Sequence, residues 1–162
     1  MSTNNTSYEK AVKRVATEMP ELFKQYNEIQ ISKNNNKIIV IIHKRKFIIC
    51  NNYPFIPPKL YMNDILYSNY LKPRTPRFFA KMKTYYNTIG NSNCNCLCCN
   101  NILLDSNWSP TYHIQKIMTE IDKINIIKRN VKYEMLTEEI AKKHNLPDYI
   151  EKEIVNYLIC HM

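Results

Sequence analysis

The polar and apolar positions of the first quarter of the chain change period once. Ala11, Val12, Val15, Met19 and Leu22 recur at helical spacing and predict an amphipathic helix over residues 7–24. Thr6 or Ser7 is placed to cap it, with Glu9 and Lys10 in its first turn. Lys10, Lys13, Arg14 and Glu18 then fall elsewhere around the wheel as a solvated face, and Pro20 is expected to end or kink the helix one turn early. From residue 27 the period shortens. Alternating Ile29 and Ile31 predict a strand over 27–32, the β-branched run KIIVIIH a buried strand over 37–43, and FIIC another over 47–50. The connectors KNNN and HKRK are short and polar, which favours an antiparallel meander.

Proline then interrupts the pattern. In NNYPFIPPKLYM, Pro54, Pro57 and Pro58 force an irregular extended segment before a fourth strand over 59–62. Pro73 and Pro76 point to a loop, and residues 78–84 fit either a strand or a helical turn. Residues 94–107 show no period beyond a short ordered piece at 102–104. Trp108-Ser109-Pro110 opens a second helix, with Ser109 as N-cap, Pro110 in the first helical position and Ile114, Ile117, Ile121 and Ile124 on its buried face. Thr137 caps a further helix over 137–144, and Pro147 separates it from a last one over 148–160. With no repeat and no linker, residues 1–162 read as a single α+β domain: a four-stranded antiparallel meander sheet with an N-terminal helix and C-terminal helices.

Composition narrows the setting. A chain of 162 residues with 44% hydrophobic content can bury a real core. No uninterrupted apolar run is long enough to span a bilayer, and MSTNNTSYEK lacks the apolar stretch of a signal peptide. Both point to a cytosolic protein with reduced thiols. Abundant Asn, Ile, Lys and Tyr with a single glycine, Gly90, match the codon bias of an AT-rich genome, such as that of a protist or a large DNA virus. In the viral case the cytosol is the host's. Asparagines such as Asn34, Asn35 and Asn36 then read as drift in solvated loops. The net charge of +9 suits nucleic acid, anionic lipid or an acidic protein face, but it is dispersed and contains no arginine block. That ranks nucleic acid behind a protein partner, and no membrane partner is expected.

The densest chemistry lies in CNCLCCNNILLDSNWSP, residues 94–110, which holds Cys94, Cys96, Cys98 and Cys99. Cys50 and Cys160 are too isolated to suggest a disulfide framework. Tetrahedral zinc wants two separated cysteine pairs, and these four are too crowded to provide them. A zinc site would need His113, or Cys160 with His161, brought close by folding. His43, His113 and His144 otherwise read as structural or surface groups, and Trp108 as a packing anchor. The remaining reading is a reactive thiol on an accessible loop, since thiolate is nucleophilic near neutral pH.

Three segments give that thiol a context. KRVATEM at 13–19, YPFIPPKLYM at 53–62 and WSPTYHIQKIMTEI at 108–121, with a weaker EIA at 139–141, occur in the order in which similar motifs occur in ubiquitin-conjugating enzymes. From about residue 7 to its end the chain resembles that family. The resemblance implies a cysteine, some eight to ten residues ahead of the tryptophan, that carries ubiquitin or a ubiquitin-like modifier as a thioester. Cys98 lies ten residues before Trp108 and follows Leu97, as the family prefers; Cys99 lies nine before and has Ile102 and Leu103 at the family's offsets. Both stay as candidates, with Cys98 slightly ahead and Cys96 third. The family's His-Pro-Asn is missing, and Asn87 in TYYNT is the substitute amide donor for the oxyanion. Asp105 is the candidate acid beside the attacking lysine. The glycine that normally precedes the cysteine and the proline-and-acid stretch after the second helix are also absent. The resemblance further implies a ubiquitin-activating enzyme docking on the N-terminal helix through Lys10, Lys13 and Arg14, a ubiquitin ligase, and no cofactor or metal. Two other readings stand beside it: a non-catalytic scaffold of the same fold that binds ubiquitin or a protein partner, and a basic nucleic-acid- or zinc-binding module.

Overall fold

A computed structural model describes residues 3–72, 75–88 and 101–161. These divide into two compact units, one formed by Met1–Lys72 with Cys96–Glu120, the other by Pro73–Asn95 with Ile121–Met162.

The first unit begins with α1, Thr3–Gln25. It starts earlier than the capping residues suggested, and the Ser7 hydroxyl instead donates to the Asn51 carbonyl at 2.9 Å. Pro20 neither ends the helix nor shortens it, because Met19 and Leu22 on either side of it are both buried and hold the last turns in place. Four strands follow as a meander: β1 Ile29–Asn34, β2 Lys37–Ile42, β3 Arg45–Ile49 and β4 Lys59–Met62. The sheet has five strands, not four. β5 is the two-residue strand Ile65–Leu66, paired antiparallel with β4. It is too short to show a period. Ile38, Val40 and Ile42 on β2, Phe47 and Ile49 on β3, and Leu60 and Met62 on β4 line the buried face in alternate register. The apolar stripe of α1, from Ala11 through Val15 and Met19 to Leu22, is buried as well. A four-residue helix, α2 Tyr67–Tyr70, closes this part of the chain.

Asparagine makes two of the tight turns in this sheet, and His43, at φ of 54°, opens the third, between Ile42 and its partner Arg45. Asn35 and Asn36 sit at φ of 44° and 58° between Asn34 and its partner Lys37, so the β1–β2 connection is a two-residue type I′ turn. Asn63 and Asp64, at 49° and 63°, do the same between β4 and β5. In a chain with one glycine, the residues that best tolerate the left-handed region after glycine carry the β1–β2 and β4–β5 hairpins. The asparagines at 35 and 36 are therefore structural, which corrects their reading as drift.

The second unit contains α3, Pro76–Thr88, most of α4, Ile114–His144, and α5, Asp148–His161. Of the two readings for 78–84, helix is the one adopted. α4 runs 31 residues without a break, so Thr137 begins no new helix. Its side chain is buried and its hydroxyl donates to the Tyr133 carbonyl, one turn back, at 2.9 Å. Buried Ile124, Ile127, Val131 and Ala141 carry one apolar phase through this stretch, and neither glycine nor proline interrupts it. The helix stops at Asn145, which takes a φ of 48° while the Leu146 amide bonds back to the Ala141 carbonyl at 2.9 Å. α3 is tied to α4 by ion pairs: Arg77 to Glu138, and Lys81 to both Glu134 and Glu138, the last at 2.6 Å. No described helix is long and apolar enough to cross a membrane.

Candidate functional site

The best-defined polar cluster of the first unit is built around a residue that the sequence places on the solvated face. Glu18 is only 6% exposed. It occupies the i+3 position between Val15 and Leu22, in phase with the apolar stripe rather than away from it. A buried carboxylate is stable only with both oxygens supplied with donors. Here Oε1 accepts from the Tyr53 hydroxyl at 2.7 Å and from Arg14 Nε at 2.8 Å, and Oε2 accepts from the Ile114 amide at 2.8 Å.

That last bond decides where α4 starts. The first amides of a helix lack partners within it, and a negative charge there is favourable. Glu18 satisfies the Ile114 amide from another element, so the helix begins at Ile114 rather than at Ser109-Pro110. Ser109 and Pro110 lie in a single turn in which the Tyr112 amide bonds to the Ser109 carbonyl at 2.9 Å. Ser109 Oγ accepts from the Thr111 amide at 3.3 Å, so its capping chemistry serves this turn only. Arg14 holds the turn from the other side. Its Nη2 reaches the Pro110 and Tyr112 carbonyls, both at 3.4 Å, and donates to His113 Nδ1 at 2.8 Å. The acceptor role at Nδ1 leaves the proton of neutral His113 on Nε2.

Trp108 joins the proline segment to the same cluster. Its Nε1 donates to the Pro54 carbonyl at 2.7 Å, and its ring lies 6.3 Å from that of Tyr53 and edge-on to Tyr112 at 5.7 Å. The Tyr53–Pro54 peptide is cis. Burial, with the Glu18 charge beside it, pushes the Tyr53 hydroxyl far above its ordinary range, so Tyr53 stays protonated and acts as a fixed donor. Residues 101–107 form consecutive turns ahead of the indole. Buried Asn101 holds them through bonds from the Leu103 amide to its side chain at 3.0 Å and from Asn107 Nδ2 to its carbonyl at 3.1 Å.

The sequence-derived site residues fare unequally. Cys98 and Cys99, with Cys94 and Cys96, lie outside the described residues. Asn87 belongs to the last turn of α3, and its side chain is also outside the described set. Asp105 is exposed on the turn before Trp108. Lys10 and Lys13 are exposed on α1, whereas Arg14 is spent on the cluster and is not a free docking charge. A cavity of about 330 Å³ opens beside Lys10, lined also by Asn52, Phe55 and Ile56, and the last two are exposed. Among the described residues no group of three His, Cys, Asp or Glu side chains is placed to hold a metal ion, and Cys50 and Cys160 are free thiols.

Glu18 is the residue of this cluster that the linear reading missed. The available signal was a charge at an apolar phase of the helix, four residues after an arginine. Comparison with protein-family models, with curated proteins and with solved structures finds no match to this chain.

Proposed function

We propose that the protein is a divergent ubiquitin-conjugating enzyme that carries ubiquitin or a ubiquitin-like modifier as a thioester on Cys98 or Cys99. One observation carries the reading. The three segments that resemble the family are bonded directly to one another: Arg14 and Glu18 from the first, Tyr53 and Pro54 from the second, Trp108 and Ile114 from the third. Motifs scattered over a hundred residues by chance have no reason to share one buried carboxylate. The cluster also ties down the chain immediately after the cysteine run, through the turns at 101–107 and the indole of Trp108.

In the proposed reaction the cysteine thiolate attacks the thioester carbonyl of the modifier on its activating enzyme. The new carbon–sulfur bond forms as the activating enzyme's cysteine leaves as thiolate. A lysine amine, free or presented by a ligase, then attacks the same carbonyl and releases the cysteine. Asn87 is the proposed donor to the tetrahedral oxyanion and Asp105 the proposed acid near the lysine. Docking of the activating enzyme is assigned to Lys10 and Lys13 on α1, beside exposed Phe55 and Ile56. The absence of His-Pro-Asn favours a second reading, a scaffold of the same architecture that binds ubiquitin or a protein partner without catalysis.

Incubation with activating enzyme, ATP and ubiquitin decides between them. The expected result is an adduct one modifier heavier that disappears on reduction and is lost on substituting either Cys98→Ala or Cys99→Ala, but not both. No adduct with ubiquitin or with any ubiquitin-like modifier overturns the enzyme reading in favour of the scaffold.

A further inference from the structure

α4 has a second apolar face. Its inward side is accounted for by Ile124, Ile127, Val131 and Ala141, all buried. On the other side Ile126, Leu136 and Ile140 are 49%, 52% and 43% exposed, and half-buried Tyr133 lies between them. Ile126, Tyr133 and Ile140 repeat every seven residues, and Leu136 falls between the last two, on the same side as half-buried Arg129. That is the a and d spacing of a helix pair. A helix apolar on two faces buries both.

The flanking charges identify what covers this face. Lys132 and Glu139 sit seven residues apart along one border of the stripe, both exposed, and neither has an ion-pair or hydrogen-bond partner among the described residues. Opposite charges one heptad apart on the same border complement themselves when an identical helix runs antiparallel. With Tyr133 set against the partner's Leu136, Lys132 faces the partner's Glu139, and two-fold symmetry repeats the pair. Sliding the helices by one heptad puts Lys132 against the partner's Lys132 and is repelled. A parallel pairing sets Lys132 and Glu139 against Asn130 and Thr137, which carry no charge, and forms no ion pair.

We propose that the protein forms an antiparallel homodimer through this face of α4, centred on Tyr133 against the partner's Leu136, with Ile126 and Ile140 covered by the aliphatic stems of the partner's Lys143 and the partner's Arg129, and registered by reciprocal Lys132–Glu139 pairs. The stripe covers fifteen residues, about 21 Å of helix from Ile126 to Ile140. A contact one helix wide and that long falls below the roughly 1,200 Å² of a stable interface, so the dimer is weak and concentration-dependent.

Sedimentation equilibrium of the full chain tests it. The apparent mass is expected to rise from 19.4 kDa toward twice that value between low and high micromolar concentration. Lys132→Glu alone and Glu139→Lys alone each make every cross-pair repulsive and weaken association by roughly tenfold. Mixing the two variants restores attraction at both pairs, so the mixture regains the dimer that neither forms by itself. A monomeric mass throughout overturns the proposal. So does a dimer indifferent to both substitutions, or a mixture no stronger than its components.

Discussion

Glu18 shows how much one side chain can decide. It anchors a tyrosine hydroxyl, an arginine and the first amide of a helix that begins 96 residues later. Substituting Glu18→Ala leaves the buried Tyr53 hydroxyl and the Ile114 amide without their acceptor and removes the carboxylate partner of Arg14, and the expected loss is about 3 kcal/mol. Tyr53→Phe leaves the other donors in place and removes a single bond to a charged acceptor, so about 2 kcal/mol is expected. Urea denaturation midpoints followed by Trp108 fluorescence measure both, and equal losses for the two variants contradict the arrangement. The residue was hidden because hydropathy assigns a carboxylate to solvent by default. Its phase, shared with Val15 and Leu22, said otherwise, but that phase becomes meaningful only once Tyr53 and Ile114 are known to arrive.

At the scale of elements, the strands were the most legible part of the chain. KIIVIIH and FIIC are β-branched runs whose alternate members are buried, and their positions in the sheet follow directly. Helix ends were harder to read, because they answer to partners far away in sequence. α4 starts where Glu18 reaches it, not where Ser109 and Pro110 advertise a start, and it runs through Thr137 because the apolar phase continues. α3 escaped assignment because much of what holds it is charge rather than periodicity: Arg77 and Lys81 bind Glu134 and Glu138 across to α4. This ion network makes a pH prediction. Burial would raise the Glu138 carboxyl, but the hydrogen bonds from Lys81 and Arg77 overcome it and hold the group below the ordinary value of 4.5. A carboxylate with a lowered folded value stabilises fully above 4.5 and loses that contribution as pH falls through the lower one. Lys81 behaves oppositely. Burial alone would lower it, its two glutamates raise it above 10.5, and its contribution persists until the solution passes that raised value. Thermal melts of the second unit are therefore expected to fall from pH 4.5 downward, and Glu138→Gln is expected to flatten that limb. An acid limb unchanged by the substitution contradicts the assignment.

For the whole molecule, the α+β class and the coarse order of N-terminal helix, antiparallel sheet and C-terminal helices were readable, while the grouping of the chain was not. The first unit is discontinuous: Met1–Lys72 is completed by Cys96–Glu120, with residues of the second unit between them. No composition shift marks these junctions, because each unit draws on the same Ile, Lys and Asn. A chain ending at Asn107 keeps α1 and all five strands but loses Ile114, Ile117 and Met118, each fully buried, along with the amide that Glu18 needs. Such a chain is expected to show no cooperative melt by circular dichroism, and a sharp transition would contradict the dependence.

The same discontinuity sets a clock on biosynthesis. Glu18 leaves the ribosome 96 residues before Ile114, a delay of roughly 5–20 s at ordinary elongation rates. Throughout that interval the nascent α1 and sheet have an acidic side chain at their centre and an uncovered greasy surface, which is the state that chaperones capture and proteases cut. Covering that surface therefore waits on translation reaching Ile114 and the isoleucines after it.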